Sequence, residues 1–308
     1  MFRTDRVRRR FRLARAAAAA AVTVAAAVLP TASATAATPG PPVSAPAAHA
    51  AQAEERPAAE RPALYARDHS GVLWRYEGTG YSARPFKPPV KIGGGWDEYV
   101  EITSLNGTAA DGTGDAVAVN TEGMLFFYKG SGNPSQPFAP RIQIGLGWDR
   151  YVSIAGAADA NHDGKADLVA RDRNGVLWFY AGTGVPEEPF EPPVRVGGGW
   201  HAYQMVVTYG DGVLARDLDD VLWVYKTSGS VYPSEPFYPR VRVGTGLAGY
   251  ADFAGVRDID GDGFADVVAR DFNGKLWLHG GERSQGMIIP SEGGSLIGGG
   301  WNIYNKLF

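Results

Sequence analysis

One stretch of this chain occurs five times. Residues 166–184 read ADLVARDRNGVLWFYAGTG, and close copies begin at Ala63 (ALYARDHSGVLWRYEGTG), Asp115 (DAVAVNTEGMLFFYKGSG), Val213 (VLARDLDDVLWVYKTSG) and Asp266 (DVVARDFNGKLWLHGG). Their central aromatics, Trp74, Phe126, Trp178, Trp223 and Trp277, stand 52, 52, 45 and 54 residues apart. A unit recurring at this spacing stacks on its neighbours to bury a continuous core, which limits the fold to a solenoid or a closed ring of blades.

Each unit divides into four strand candidates. In the third they are YVSIAGA (151–157), DLVARD (167–172), VLWFY (176–180) and PVRVGGGW (193–200), each short, rich in β-branched and aromatic residues and bounded by Gly, Asp or Pro. The tetrapeptide Asp-Arg-Asn-Gly at 172–175 marks a hairpin between the second and third. Both faces of VLWFY are apolar, as expected of a sheet sandwiched between two others. The chain ends decide between ring and solenoid. Ala63 stands at a second-strand position, so the first unit lacks its first strand, while residues 301–308 (WNIYNKLF) align with 148–155 (WDRYVSIA) and form a first strand with no unit of their own. This offset predicts an all-β, five-bladed propeller of four-stranded blades over residues 63–308, closed by pairing of the C-terminal strand with the N-terminal blade.

The rest of the chain sets the context. Met1 to Arg15 is strongly basic, 16–29 is uncharged and apolar, and 31–37 is a run of small residues, the pattern of a secretory signal peptide over 1–37. About 14 apolar residues, mostly Ala, are short for a membrane span. Residues 38–62, rich in Ala and Pro, read as a disordered linker. The expected location is therefore secreted and extracellular. The chain holds 30 basic and 33 acidic residues; seven Arg and one Asp fall within the first 36, leaving about −9 on the remainder. That balance gives no electrostatic footprint for nucleic acid. There is no cysteine, so neither disulfides nor thiol chemistry contribute. A monomer is expected.

Two units carry a spaced acidic loop, Asp159-x-Asn161-x-Asp163-Gly164-x-x-Asp167 and Asp258-x-Asp260-x-Asp262-Gly263-x-x-Asp266. Oxygens at positions one, three, five and nine of a turning loop, with the backbone carbonyls of Lys165 and Phe264 at position seven, make the hard-oxygen cage that Ca²⁺ takes. The same residues also make Asx turns; two loops keeping the positions in register favour two structural Ca²⁺ sites. Another unit keeps only Asp111 and Asp115 within GTAADGTGD, and the shortened TYGDGVLARD has no such loop. The DxDxDGxxD loop followed by a DLVARD-like strand resembles the FG-GAP or VCBS repeats of the integrin α-subunit propeller and many secreted bacterial proteins. That resemblance, over residues 63–308, implies calcium on the loop side chains. The five-unit count and the GGGW-x-x-Y element also resemble the tachylectin-type lectin propellers, more loosely.

Trp96, Trp148, Trp200 and Trp301 close the GGGW elements, with Leu247 in the remaining unit. An exposed Trp is a platform for the apolar face of a sugar; the competing expectation is that these rings wedge between blades. Arg67, Arg171, Arg216 and Arg270, each before an Asp, read first as anchors between blades. No His recurs at an equivalent repeat position, and no nucleophile elbow, zinc helix or phosphate loop is present. The expectation is a non-catalytic secreted propeller that binds an extracellular glycan, with Trp96, Trp148, Trp200 and Trp301 as candidate ligand contacts. The alternatives are a polysaccharide-active enzyme with acids in the central channel and an integrin-like platform for a surface protein.

Overall fold

The computed structural model describes residues 62–105, 114–244, 247–284, 287–290 and 293–308. The chain divides into two units, Met1–Gln52 and Ala53–Phe308. The expected signal peptide, and the linker apart from Pro62, lie outside the described residues. Among the described residues no helix is long and apolar enough to cross a membrane.

Alternating β-branched and aromatic residues between Gly- and Asp-rich turns give five four-stranded antiparallel sheets. Blade II holds β4 (Tyr99–Ser104), β5 (Ala116–Asn120), β6 (Leu125–Tyr128) and β7 (Ile142–Gly145). Blade III holds β8 (Tyr151–Gly156), β9 (Leu168–Asp172), β10 (Leu177–Tyr180) and β11 (Val194–Gly197). Blade IV holds β12 (Tyr203–Tyr209), β13 (Gly212–Asp217), β14 (Leu222–Lys226) and β15 (Val241–Gly244). Blade V holds β16 (Tyr250–Val256), β17 (Asp266–Asp271), β18 (Leu276–His279) and, after an extra hairpin of β19 (Gly281–Ser284) and β20 (Met287–Pro290), β21 (Ser295–Gly298). The repeat pattern gave no hint of that hairpin.

Blade I is assembled from both ends of the propeller. β22 (Tyr304–Leu307) pairs antiparallel with β1 (Ala63–Asp68), which continues into β2 (Leu73–Glu77) and β3 (Val90–Gly93). Tyr65 and Phe308 exchange backbone hydrogen bonds of 2.9 and 3.0 Å. Tyr304 Oη meets Tyr76 Oη at 2.6 Å. The expected closure by the C-terminal strand is therefore what the structure contains.

The core lies in the seams. Five apolar clusters each join two neighbouring blades, and the cluster that holds Leu64, Val268, Leu278 and Leu307 joins blade V to blade I and completes the circle. Period-two alternation explains this. Leu177 and Phe179 face blade IV, whereas Trp178 and Tyr180 face blade II.

Repeated polar devices brace each blade and tie it to the next. Asp68, Asp172, Asp217 and Asp271 each accept hairpin amides on one oxygen and the indole Nε1–H of Trp74, Trp178, Trp223 or Trp277 on the other, at 2.8, 3.0, 2.8 and 3.2 Å. Blade II carries Asn120 and Phe126 at these positions; with no indole donor, the neutral amide stands where the carboxylate would. The arginine one residue earlier crosses the seam. Arg67 Nη1 donates to the carbonyls of Trp96 and Tyr99 (3.0 and 2.6 Å), Arg171 to Trp200 and Tyr203 (3.2 and 2.8 Å), Arg216 to Tyr250 (2.9 Å), and Arg270 to Trp301 (3.3 Å) and Tyr304. These arginines are anchors between blades, as expected.

Candidate functional site: an axial cup and two acidic loops

The first strand of every blade begins with Tyr (Tyr99, Tyr151, Tyr203, Tyr250, Tyr304) and carries a bulge at its second residue. A bulge places two residues opposite one and re-aims the side chains there. The five inner strands together line an axial cavity of about 190 Å³. At its far end the strands touch. Thr103 Oγ1 and Thr208 Oγ1, both buried, approach to 3.4 Å across the axis between blades II and IV. A Cβ on Gly255 would stand 1.8 Å from the Thr208 carbonyl and one on Gly156 2.3 Å from that of Ser104, so only glycine permits this approach. At the other end Val100 and Val152 are exposed. The channel is a cup with a mouth on the face that bears the Tyr ends of the strands.

The third residues of the inner strands are Glu101, Ser153, Met205, Asp252 and Lys306, all five lining the cup. Lys306 Nζ lies 4.0 Å from Glu101 Oε2. Asp252 Oδ2 accepts the Leu307 amide at 3.1 Å and lies 3.9 Å from Arg270 Nη2. Burial pushes both carboxyls above the ordinary range, against the pull of Lys306, Arg171 and Arg67 on Glu101 and of Lys306 and Arg270 on Asp252. Raised carboxyls lining a cavity make it a candidate functional site. Spacing alone gave no sign of this site, because its members lie on five different repeats.

The acidic loops join first and second strands in blades III and V. In the second loop, carboxylate oxygens of Asp258, Asp260 and Asp262 lie within 4.8 Å of one another. Gly263 follows at φ 91°, the left-handed turn expected there. Burial raises the Asp260 carboxyl, and its neighbours Asp262 and Asp258 push the same way. Backbone amides also reach these carboxylates: Gly261 and Gly263 on the two oxygens of Asp258 (2.6 and 3.1 Å), Asp262 on Asp260 (3.2 Å) and Phe264 on Asp262 (2.8 Å). Asp266 sits behind this group, wholly buried, and accepts the amides of Ile259 (2.8 Å), Asp260 (3.3 Å) and Gly281 (2.9 Å). Its carboxyl is pushed up to about 7, chiefly by burial.

The first loop repeats the plan with weaker charge. Asp159 accepts the amides of Asp163 and Gly164 (2.8 and 2.9 Å), and Asn161 supplies an amide oxygen where the second loop has Asp260. Lys165 Nζ lies 3.6 Å from Asp163 Oδ2. Buried Asp167 accepts Ala160 and Gly182 (both 2.8 Å), with its carboxyl pushed up to about 6 by burial. Three convergent carboxylates pressing on one another fit a hard divalent cation; the second loop offers the stronger set. Asp115 is held by Lys129 and Gly130 (2.9 and 2.8 Å), whereas Asp111 lies outside the described residues.

The GGGW tryptophans lie in the seams between blades. Trp96, Trp200 and Trp301 are buried, and Trp148 is half-buried. Each ring packs on a tyrosine of its own seam, Tyr128, Tyr180, Tyr225 or Tyr76, at 4.6–4.8 Å between centroids. A sugar platform needs an open ring face. Here Tyr, Phe138 and Phe308 crowd Trp96, and Tyr and Phe86 crowd Trp301. These four residues wedge the blades together.

Fold and site define a five-bladed β-propeller with a blind, mixed-charge axial cup. No protein-family model matches the chain, and no curated protein matches it. Among solved structures it is similar to AofleA from Arthrobotrys oligospora, with 11% identity over 80% of this chain and 74% of that one and a TM-score of 0.41. It is similar to the BP39L lectin from Burkholderia pseudomallei at 18% identity, over 76% and 64%, with a TM-score of 0.36. An engineered GH43 glycoside hydrolase with endo-xylanase and exo-arabinofuranosidase activity gives 14%, 82%, 56% and 0.42. The chain spans less than two thirds of BBS1N (60%) and of human WBSCR16 (65%), to which it is also similar. The ring itself rests on the strand pairing described above.

Proposed function

We propose that this protein is a secreted propeller, braced by calcium, that binds an extracellular carbohydrate without turning it over. The cup carries this reading. It sets carboxylate, ammonium, hydroxyl and amide groups on one concave surface beside Met205 and Val152, the combination of convergent polar groups and apolar wall that small polar ligands use. Calcium would be held by Asp258, Asp260 and Asp262 with the Phe264 carbonyl and Asp266 behind them, and more weakly by Asp159, Asn161 and Asp163 with the Lys165 carbonyl and Asp167. The ion would neutralise the converging carboxylates and stiffen the link between the first two strands of a blade. The basic and apolar N-terminus supports export, and the FG-GAP-like loops support calcium.

One observation favours a second reading. Glu101 and Asp252 are raised carboxyls in the same cup and feel one another's charge, and paired carboxyls of this kind serve glycoside hydrolysis. A glycan array probed with and without chelator, followed by a reducing-end assay on bound polysaccharides, separates the two. Binding without release supports the binding protein, and release of new reducing ends establishes the hydrolase. A chain that binds no glycan refutes both.

A further inference from the structure

The internal repeats provide a control inside the molecule. At seam positions the five units agree. The first residue of the inner strand is always Tyr, the fourth is always apolar (Ile102, Ile154, Val206, Phe253, Leu307), and an Arg tether or an Asp–indole latch recurs in four blades. Such agreement is what stacking requires. At the third position all five differ: Glu101, Ser153, Met205, Asp252 and Lys306. These residues face one cavity, so their differences combine into a single asymmetric lining.

The geometry points to a single ligand site per chain, the axial cup, which takes the terminal unit of a neutral sugar. This rests on the carbohydrate reading and replaces several equivalent seam sites by one. The seams cannot serve, because their aromatic faces are spent on Tyr–Trp packing and their arginines on carbonyls. The cup is blind, closed by Thr103, Thr208 and the glycines beside them, so a chain end can enter it and a polymer cannot thread through it.

The charge pattern selects a neutral ligand. Lys306 stands beside Glu101, and Arg270 beside Asp252, with Arg67 and Arg171 close enough to act on Glu101. Glu101 pairs with Lys306 and Asp252 with Arg270, while Arg67 and Arg171 are bonded to seam carbonyls and do not line the cup, so on its wall neither an anion nor a cation finds an unpaired opposite charge. A hydroxyl both donates and accepts. Vicinal hydroxyls can therefore give to Glu101 and take from Lys306 at once, while Ser153 and Gln204 complete the wall opposite and Met205 meets the C–H face of the ring.

The test uses the full exported chain with calcium and, as probes, the methyl glycosides of glucose, galactose, mannose, xylose and N-acetylglucosamine. Saturation-transfer NMR identifies the bound glycoside, and calorimetry counts the sites. One site per chain is expected, with affinity lowered at least tenfold by Glu101→Gln and by Lys306→Met. Both side chains are partly exposed, and a cooperative urea transition with the wild-type slope shows that the variants fold. A stoichiometry above one, or two folded variants that bind like the wild type, overturns the cup while leaving the carbohydrate reading intact. A wild-type protein that binds none of the probes and no glycan on the array overturns the carbohydrate reading and the cup with it.

Discussion

Asp262 and Asp266 belong to one loop, yet their substitution should have opposite signatures. Asp266 is wholly buried, with short hydrogen bonds from Ile259 and Gly281. Asp266→Ala leaves those two donors without an acceptor, at about 1–3 kcal/mol each. Burial already disfavours the ionised carboxyl, which returns part of that loss, so the net cost is about 2–3 kcal/mol in chelator, where no ion contributes. Asp262 is exposed, and its one turn contact, the Phe264 amide at 2.8 Å, can be kept by an amide oxygen. Asp262→Asn therefore costs less than about 0.5 kcal/mol in chelator. It removes a charged ligand, however, and with it most of the stabilisation by calcium, which at a hundredfold excess over Kd is about 2.7 kcal/mol. The first loop retains a smaller share, because Asn161 is neutral and Lys165 lies beside Asp163. Urea unfolding of the three proteins, with calcium and with chelator, reads both effects. A wild-type midpoint that ignores calcium, or an Asp262→Asn protein that responds in full, would show that these loops are Asx turns and not cation sites.

Three further outcomes can be measured in the same way. Trp200→Ala empties the seam between blades III and IV and should cost about 3–5 kcal/mol; a neutral result would return this ring to the list of ligand platforms. Asn120→Asp combined with Phe126→Trp installs in blade II the latch of the other four blades, and the double variant should be more stable than the sum of the singles by about 0.5–1.5 kcal/mol. Glu101 and Asp252 hold their protons to higher pH in the folded protein than in the unfolded chain. They therefore favour folding at acid pH and lose that contribution as pH rises above about 4 through their folded values. Lys306→Met removes a cation that draws both carboxyls down, so the urea midpoint should fall more steeply with rising pH than in the wild type; parallel curves would refute the pairing.

The repeats disclosed what the blades share and concealed where they differ. Strand order, the hairpin turns, the Arg anchors and the loan of residues 304–308 to blade I all follow from aligning the five copies, because stacking imposes the same demands on each seam. The cup escaped notice for the converse reason. Glu101, Asp252 and Lys306 are unremarkable within their own repeats, and only the closing of the circle brings them together. The same Gly-rich turn that could expose a GGGW ring here seats it on Tyr128, Tyr180, Tyr225 or Tyr76, a choice the motif alone leaves open. Asp167 and Asp266 occupy ligand positions in the sequence pattern and are wholly buried, a difference from the other loop carboxylates that spacing does not encode. The hairpin at β19 and β20 interrupts blade V without disturbing its pairing, since β18 still meets β21.

Closure of the ring by the C-terminal strand underlies all of this, and a cysteine-free chain allows it to be read directly. Ala66 and Leu307 are directly opposed in the β1–β22 ladder, next to the hydrogen-bonded Tyr65–Phe308 pair. They thus form a non-hydrogen-bonded pair with Cα atoms about 4.5 Å apart, within the span of a disulfide. Oxidation of the Ala66→Cys, Leu307→Cys protein should give a monomeric, cross-linked ring, with one disulfide-joined peptide pair by mass spectrometry. Thiols that stay free in the folded protein, or that join different molecules, would contradict the closed ring.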